Sequence, residues 1–141
     1  MLDQLESHLR MYKSAGVIDY WNDLFLTNVE GWDEQIIDEM EKANILIMLL
    51  SPDYLGTPYI LEREIQIAIR HLEAAMHTKQ VFWILLKPCN YELFPKIAHF
   101  PIFPLKENEE LSGKARQRAI SEHDNIDREW VKLLKMILED I

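Results

Sequence analysis

Six consecutive apolar residues, Ile45-Leu46-Ile47-Met48-Leu49-Leu50, constrain this chain more than any other feature. The run does not alternate, so both of its faces must be buried. A strand covered on both faces belongs in the interior of a parallel sheet. It stops at Ser51-Pro52-Asp53. A second such run, Val81-Phe82-Trp83-Ile84-Leu85-Leu86, is ended by Lys87-Pro88. Between them, Leu61, Ile65, Ala68, Leu72 and Ala75 recur at helical spacing. Thr57 offers a cap and Pro58 is a favoured first residue, so a helix is predicted from there to about Met76.

The flanking segments continue the alternation. Leu2, Leu5, Leu9 and Tyr12 predict an opening amphipathic helix that Gly16 ends. Val17 to Trp21 reads as a short strand and Thr27 to Gly31 as a loop. Trp32, Ile36, Ile37 and Met40 mark a helix, with Asp33 and Glu34 near its positive end. Residues 89–105 read as irregular, with Ile102-Phe103 a short edge strand on which Pro101 and Pro104 are tolerated. Residues 106–119 read as polar and loosely ordered. Residues 120–141 close on a helix with Ile126, Trp130, Leu133, Ile137 and Ile141 on one face. Helix and strand in turn predict a three-layer α/β sandwich with a mostly parallel sheet. Its ligand edge lies beyond the strand carboxyl ends, at Asn22-Asp23, Ser51-Pro52-Asp53 and Lys87-Pro88-Cys89.

The 141 residues fit one domain over 1–141. A net charge of −9 argues against a general nucleic-acid binder, which needs a basic face. Residues 1–70 hold most of the excess, with 13 acids and 5 bases. The single cysteine, Cys89, can form neither an internal disulfide nor a zinc cage. No apolar run approaches the ~18 residues of a membrane span, and Asp3 and Glu6 interrupt any signal-peptide core. The default is therefore a soluble, cytoplasmic domain with no membrane contact. The five histidines have no metal-ligand spacing, so no metal is expected. There is no GxGxxG or P-loop, which excludes a classical dinucleotide fold.

Glu64 is the first chemical candidate. It shares a helix face with Ile60, Ile67 and His71, where a carboxylate between isoleucines is only partly solvated. Such a group is either an ordinary boundary glutamate or a tuned catalytic one. Ser51-Pro52-Asp53-Tyr54 is either a plain turn or a hydroxyl and carboxylate set at the sheet edge beside Glu64. Lys87-Pro88 is similar to the lysine of a receiver domain, but the acidic pair such a domain needs is absent.

Taken in order, these segments resemble a bacterial Toll/interleukin-1 receptor (TIR) domain. Val17 to Asp23 resembles the family's second strand with its Trp-x-Asp ending. Gly31 to Ile36 resembles the next helix start. Asn44 to Leu55, then Tyr59 to Glu64, resembles the third strand and catalytic helix, and Leu86 to Tyr91 the strand and loop that follow. The match is strongest over residues 1–105. The resemblance implies a flavodoxin-like fold and, in many members, cleavage of NAD+ at the nicotinamide–ribose bond. NAD+ is then substrate, and no cofactor is implied. It also implies self-association with other TIR domains, a fused or operon-encoded sensor, and a setting in anti-phage defence. Other members only assemble signalling complexes, and a nucleoside deoxyribosyltransferase-like enzyme would use similar sugar chemistry.

By that resemblance Glu64 is the catalytic carboxylate. Ser51, Asp53, Tyr54, Ile60, Trp21 and Asp23 line the NAD+ pocket, and Leu24 to Gly31 is the mobile gating loop. Leu24 and Ile60 depart from the basic residue and the Cys or aromatic residue that relatives often carry. Met1 opens almost directly on a helix, where the family first has a central strand of the Phe-Ile-Ser-Tyr type. The expectation is that the strands matching 17–21 and 44–51 pair directly, or that a partner segment supplies the strand.

Overall fold

The computed structural model describes residues 2–17, 24–26, 40–73, 80–104, 107–108 and 115–139. Helix α1, Leu2–Ser14, ends as expected at Gly16, which adopts a φ of +78°. The Val17 amide donates to Tyr12 O and the Gly16 amide to Lys13 O, both at 3.0 Å, so the glycine closes a Schellman turn. The strands are β1 (Leu24–Leu26), β2 (Ile45–Leu50), β3 (Gln80–Leu85) and β4 (Ile102–Phe103). They form one parallel sheet in that order. The fold is α/β, as the apolar runs predicted. Every residue of β2 is buried, because neighbouring strands cover its edges and helices cover both faces.

Two expectations are corrected. The strand beside β2 is Leu24–Leu26, which the sequence placed in a gating loop; it pairs Leu24 with Ile45, Phe25 with Leu46 and Leu26 with Ile47. Val17, expected to begin that strand, is an exposed bend residue after α1, and 18–23 lie outside the described residues. Direct pairing with β2 therefore occurs, but from a segment further along the chain. Second, the polar stretch after β4 is not wholly irregular. Glu107–Asn108 (β5) pairs antiparallel with Ala115–Arg116 (β6). The loop at 27–31 and the helix starting at Trp32 fall outside the described residues, although 40–42 are helical and Met40 is fully buried.

Side chains on alternate positions of β2 and β3 build two cores. Leu46, Met48, Leu50, Trp83 and Leu85 face Ile65, Ile67 and Ala68 of the helix Pro58–Glu73. Ile45, Ile47, Leu49 and Ile84 face Leu5 and Leu9 of α1 together with Trp130, Leu133, Leu134 and Ile137. The last group comes from the C-terminal helix Ile126–Leu134 and the π-helical turn Lys135–Glu139 that follows it. The helix therefore starts later than the expected 120: Ile120–Glu122 is a separate 3-10 turn, and Asn125 caps the helix, its side chain accepting from Arg128 N at 3.0 Å. The edge strand β4 sits between its two prolines as expected. Gln117 Nε2 donates to Ile102 O and Pro104 O, both at 2.9 Å, and satisfies carbonyls that a two-residue strand leaves over.

Candidate functional site around Glu64

β2 runs into Ser51 with extended backbone, φ −152° and ψ 162°. The next four residues, Pro52–Leu55, form a single helical turn, α2. Pro52 suits its first position because its missing N–H has no partner there in any helix. Ser51 caps it: its Oγ accepts from the Tyr54 amide at 3.2 Å, and its carbonyl accepts from Leu55 N at 3.0 Å. Gly56 closes the turn with its amide on Pro52 O at 2.8 Å. A Cβ there would sit 3.0 Å from Pro52 O, tighter than almost all real Cβ contacts, so a larger residue would have to push the turn aside. Thr57 Oγ1 donates to Asp53 O at 3.0 Å, and Pro58 begins the long helix α3, Pro58–Glu73.

This turn carries Tyr54 inward, where it is 2% exposed. Its hydroxyl donates to Glu64 Oε2. Glu64 lies two turns into α3 and is 1% exposed. The sequence expected a partly solvated carboxylate; the structure buries it fully, because Ile67 and Ile65 beside it pack against the sheet. Burial raises the Glu64 carboxyl above the usual carboxylate range, and the Tyr54 hydroxyl partly offsets that by donating to the charged form. The Tyr54 phenol is raised well above its ordinary value, first by burial and then by the charge and hydrogen bond of Glu64. Among the described residues Tyr54 is the partner of Glu64, and no cation forms an ion pair with it.

Of the residues predicted for the site, the structure brings Ser51, Tyr54 and Glu64 into one chain of hydrogen bonds. Asp53 belongs to the same turn but is exposed, so its carboxylate faces solvent. Ile60 lies in the first turn of α3, with its side chain outside the described residues, and Trp21 and Asp23 are outside them altogether. The Ser51 hydroxyl is spent on the cap, which is the turn role the sequence offered as the plainer alternative. The Tyr54–Glu64 bond was missed: the two stand ten residues apart on different elements, and no linear spacing signals such a contact.

Cavities lie beside α3 and at the end of β3. One of about 380 Å³, lined by Ile65, Gln66, Leu93 and Phe94 among others, separates α3 from residues 91–98. Another of about 270 Å³, lined by Cys89, Tyr91 and Gln117, opens at the end of β3. There the Tyr91 hydroxyl donates to Gln117 Oε1, and burial raises the Cys89 thiol, which keeps it in the less reactive protonated form. Glu64 lines neither cavity.

Residues 1–120 match the TIR domain family. The chain belongs to that family. It is also similar to an uncharacterized protein, y4lF, of Sinorhizobium fredii (strain NBRC 101917 / NGR234), 32% identical over 96 residues. That alignment covers 66% of this chain and 28% of the relative, so the chain spans about a quarter of the curated protein it matches. No solved structure matches. Among the described residues of this TIR domain, no helix is long and apolar enough to cross a membrane.

Proposed function

We propose that this TIR domain cleaves NAD+ at the nicotinamide–ribose bond, with Glu64 as the carboxylate that touches the ribose. One observation carries the reading: a carboxylate 1% exposed, without a cation among the described residues, beside the carboxyl end of the central strand. A buried ionisable group of that kind costs stability, and a neutral residue would fill the space more cheaply. Such costs are concentrated at sites that use the group.

The chemistry suits a lone carboxylate. The C1′–N bond breaks with its electron pair going to nicotinamide, which leaves neutral and needs no acid. Positive charge develops on the ribose. The Glu64 carboxylate accepts from a ribose hydroxyl and stabilises that charge, most effectively where water is excluded. Water then adds at C1′ and loses a proton, giving ADP-ribose; attack by a nitrogen of the same molecule gives a cyclic product instead. The biological setting we propose is bacterial defence signalling, with NAD+ loss as output and a sensor fused or encoded alongside.

A second reading is a TIR module that only assembles. The observation in its favour is that Tyr54 already occupies the carboxylate and burial seals it, as in a structural hydrogen bond. Nicotinamide release from NAD+ by the purified chain, set beside Glu64→Gln, tests both. Release that vanishes in the variant supports the enzyme. No release at concentrations where light scattering detects assembly, with the variant assembling equally well, supports the module.

A further inference from the structure

The unexplained feature of the site is Tyr54. It is a whole phenol buried to 2% exposure for the sake of one hydroxyl contact, on a four-residue turn whose cap, closing glycine and succeeding threonine are all spent on fixing its backbone. A leucine would fill such a core position without a polar atom to satisfy. The Tyr54 amide sits on Ser51 Oγ and its hydroxyl on Glu64 Oε2, so one residue connects the end of β2 to the carboxylate on α3.

We propose that Tyr54 is a positioning residue for Glu64: held by the Ser51-capped turn, its hydroxyl binds one carboxylate oxygen and leaves the other to meet substrate. This rests on the proposed role of Glu64. It differs from a pocket-lining role for Tyr54, because the residue acts through the glutamate and not on NAD+.

The physical argument is one of geometry and charge. A carboxylate free to rotate in an apolar core presents its lone pairs in many directions. A single donor on Oε2 fixes the plane and therefore the direction of Oε1. The same donor favours the charged form, the one able to stabilise a cationic ribose, against the desolvation that disfavours it. Among the described residues Tyr54 is the titratable group facing Glu64; its α3 neighbours Glu62 and Arg63 are exposed.

The test is Tyr54→Phe, which removes one oxygen and keeps the ring. The first readout is the Glu64 carboxyl titration by NMR on glutamate labelled at the carboxyl carbon, with the resonance assigned by its loss in Glu64→Gln. It needs no activity. The expected result is an upward move of the Glu64 pKa. The second is the pH profile of NAD+ cleavage, whose acid limb is expected to move up in parallel, with kcat at neutral pH falling by roughly tenfold, the worth of about one charge-assisted bond. Ser51→Ala loosens the turn without touching either polar side chain and is expected to move both readouts the same way, by less. It keeps the test open if Tyr54→Phe folds poorly. A Glu64 titration unchanged in both variants overturns the positioning role, whatever happens to activity. A fall in activity at every pH with that titration unmoved overturns it as well, and returns Tyr54 to substrate contact. Cleavage that survives Glu64→Gln is a different failure: it removes the catalytic reading while the titration still decides how Tyr54 acts on the carboxylate.

Discussion

The two faces of the sheet are built from the same strands but on different terms. On the α1 side, Leu5, Leu9, Trp130, Leu133, Leu134 and Ile137 meet Ile45, Ile47, Leu49 and Ile84 in a core that also takes in the Tyr12 phenol. The His8 Nε2–Asp127 Oδ1 pair, 2.9 Å apart, lies at its rim, but Glu129 is buried 3.4 Å from His123 Nδ1, and Gln4 Oε1 and His123 Nε2 are buried with no partner among the described residues. On the α3 side the core likewise admits polar atoms. The Tyr54 hydroxyl and the Glu64 carboxylate are inside it, and the indole nitrogen of Trp83 has no partner among the described residues. The difference teaches how labour divides in this domain. Both faces bury a carboxylate, but Glu129 has His123 and Lys132 beside it, whereas Glu64 meets a phenol.

The comparison breaks most easily at Trp130, fully buried at the centre of the apolar face. Trp130→Ala should cost about 3–5 kcal/mol in denaturant unfolding, through lost burial and the cavity left behind. An effect under ~1 kcal/mol would show that this face is not the stabilising one. Gly16→Ala tests the stop of α1. No atom crowds a Cβ there, so the cost comes from the positive φ alone, about 1–2 kcal/mol. At the rim of the same face, His8→Gln should change stability by less than about 1 kcal/mol, since Asp127 is 63% exposed and the pair is solvated.

The polar face carries a pH dependence of its own. The Glu64 carboxyl is raised in the folded state. Between the unfolded and the raised values the folded chain therefore holds a proton that the unfolded chain has lost. Its contribution is fully present below the unfolded carboxylate value and disappears as pH rises through the raised one. Unfolding free energy measured across that interval should contain a downward component with rising pH, and Glu64→Gln should remove it. An unchanged slope in the variant would mean the carboxylate is not shifted by burial.

Much of this was legible because it rests on periodicity. The unbroken apolar runs at 45–50 and 81–86 mark the two inner strands, although Gln80–Leu85 is fully buried only over Trp83–Leu85 and Leu86 lies past its end, and Thr57-Pro58 announces a helix with little ambiguity. Gly16 and the proline-flanked Ile102-Phe103 were readable because turn and edge chemistry are local. The strand Leu24–Leu26 was not: three residues are too few to show a period, and partnership with Ile45–Ile47 defines them. Glu107–Asn108 and Ala115–Arg116 likewise become strands through each other. At the site, the cap at Ser51 followed from residue type, whereas the Tyr54–Glu64 bond exists because a turn folds one element's hydroxyl onto another element's carboxylate.

The most direct test of the division of labour is NAD+ cleavage by Glu64→Gln, measured beside an unfolding titration of the variant and the parent. The account predicts a folded variant, within about 1 kcal/mol of the parent at neutral pH because a buried charge has gone, that releases no nicotinamide. A variant that loses several kcal/mol of stability while nicotinamide release continues would contradict it, and would make Glu64 a structural partner of Tyr54.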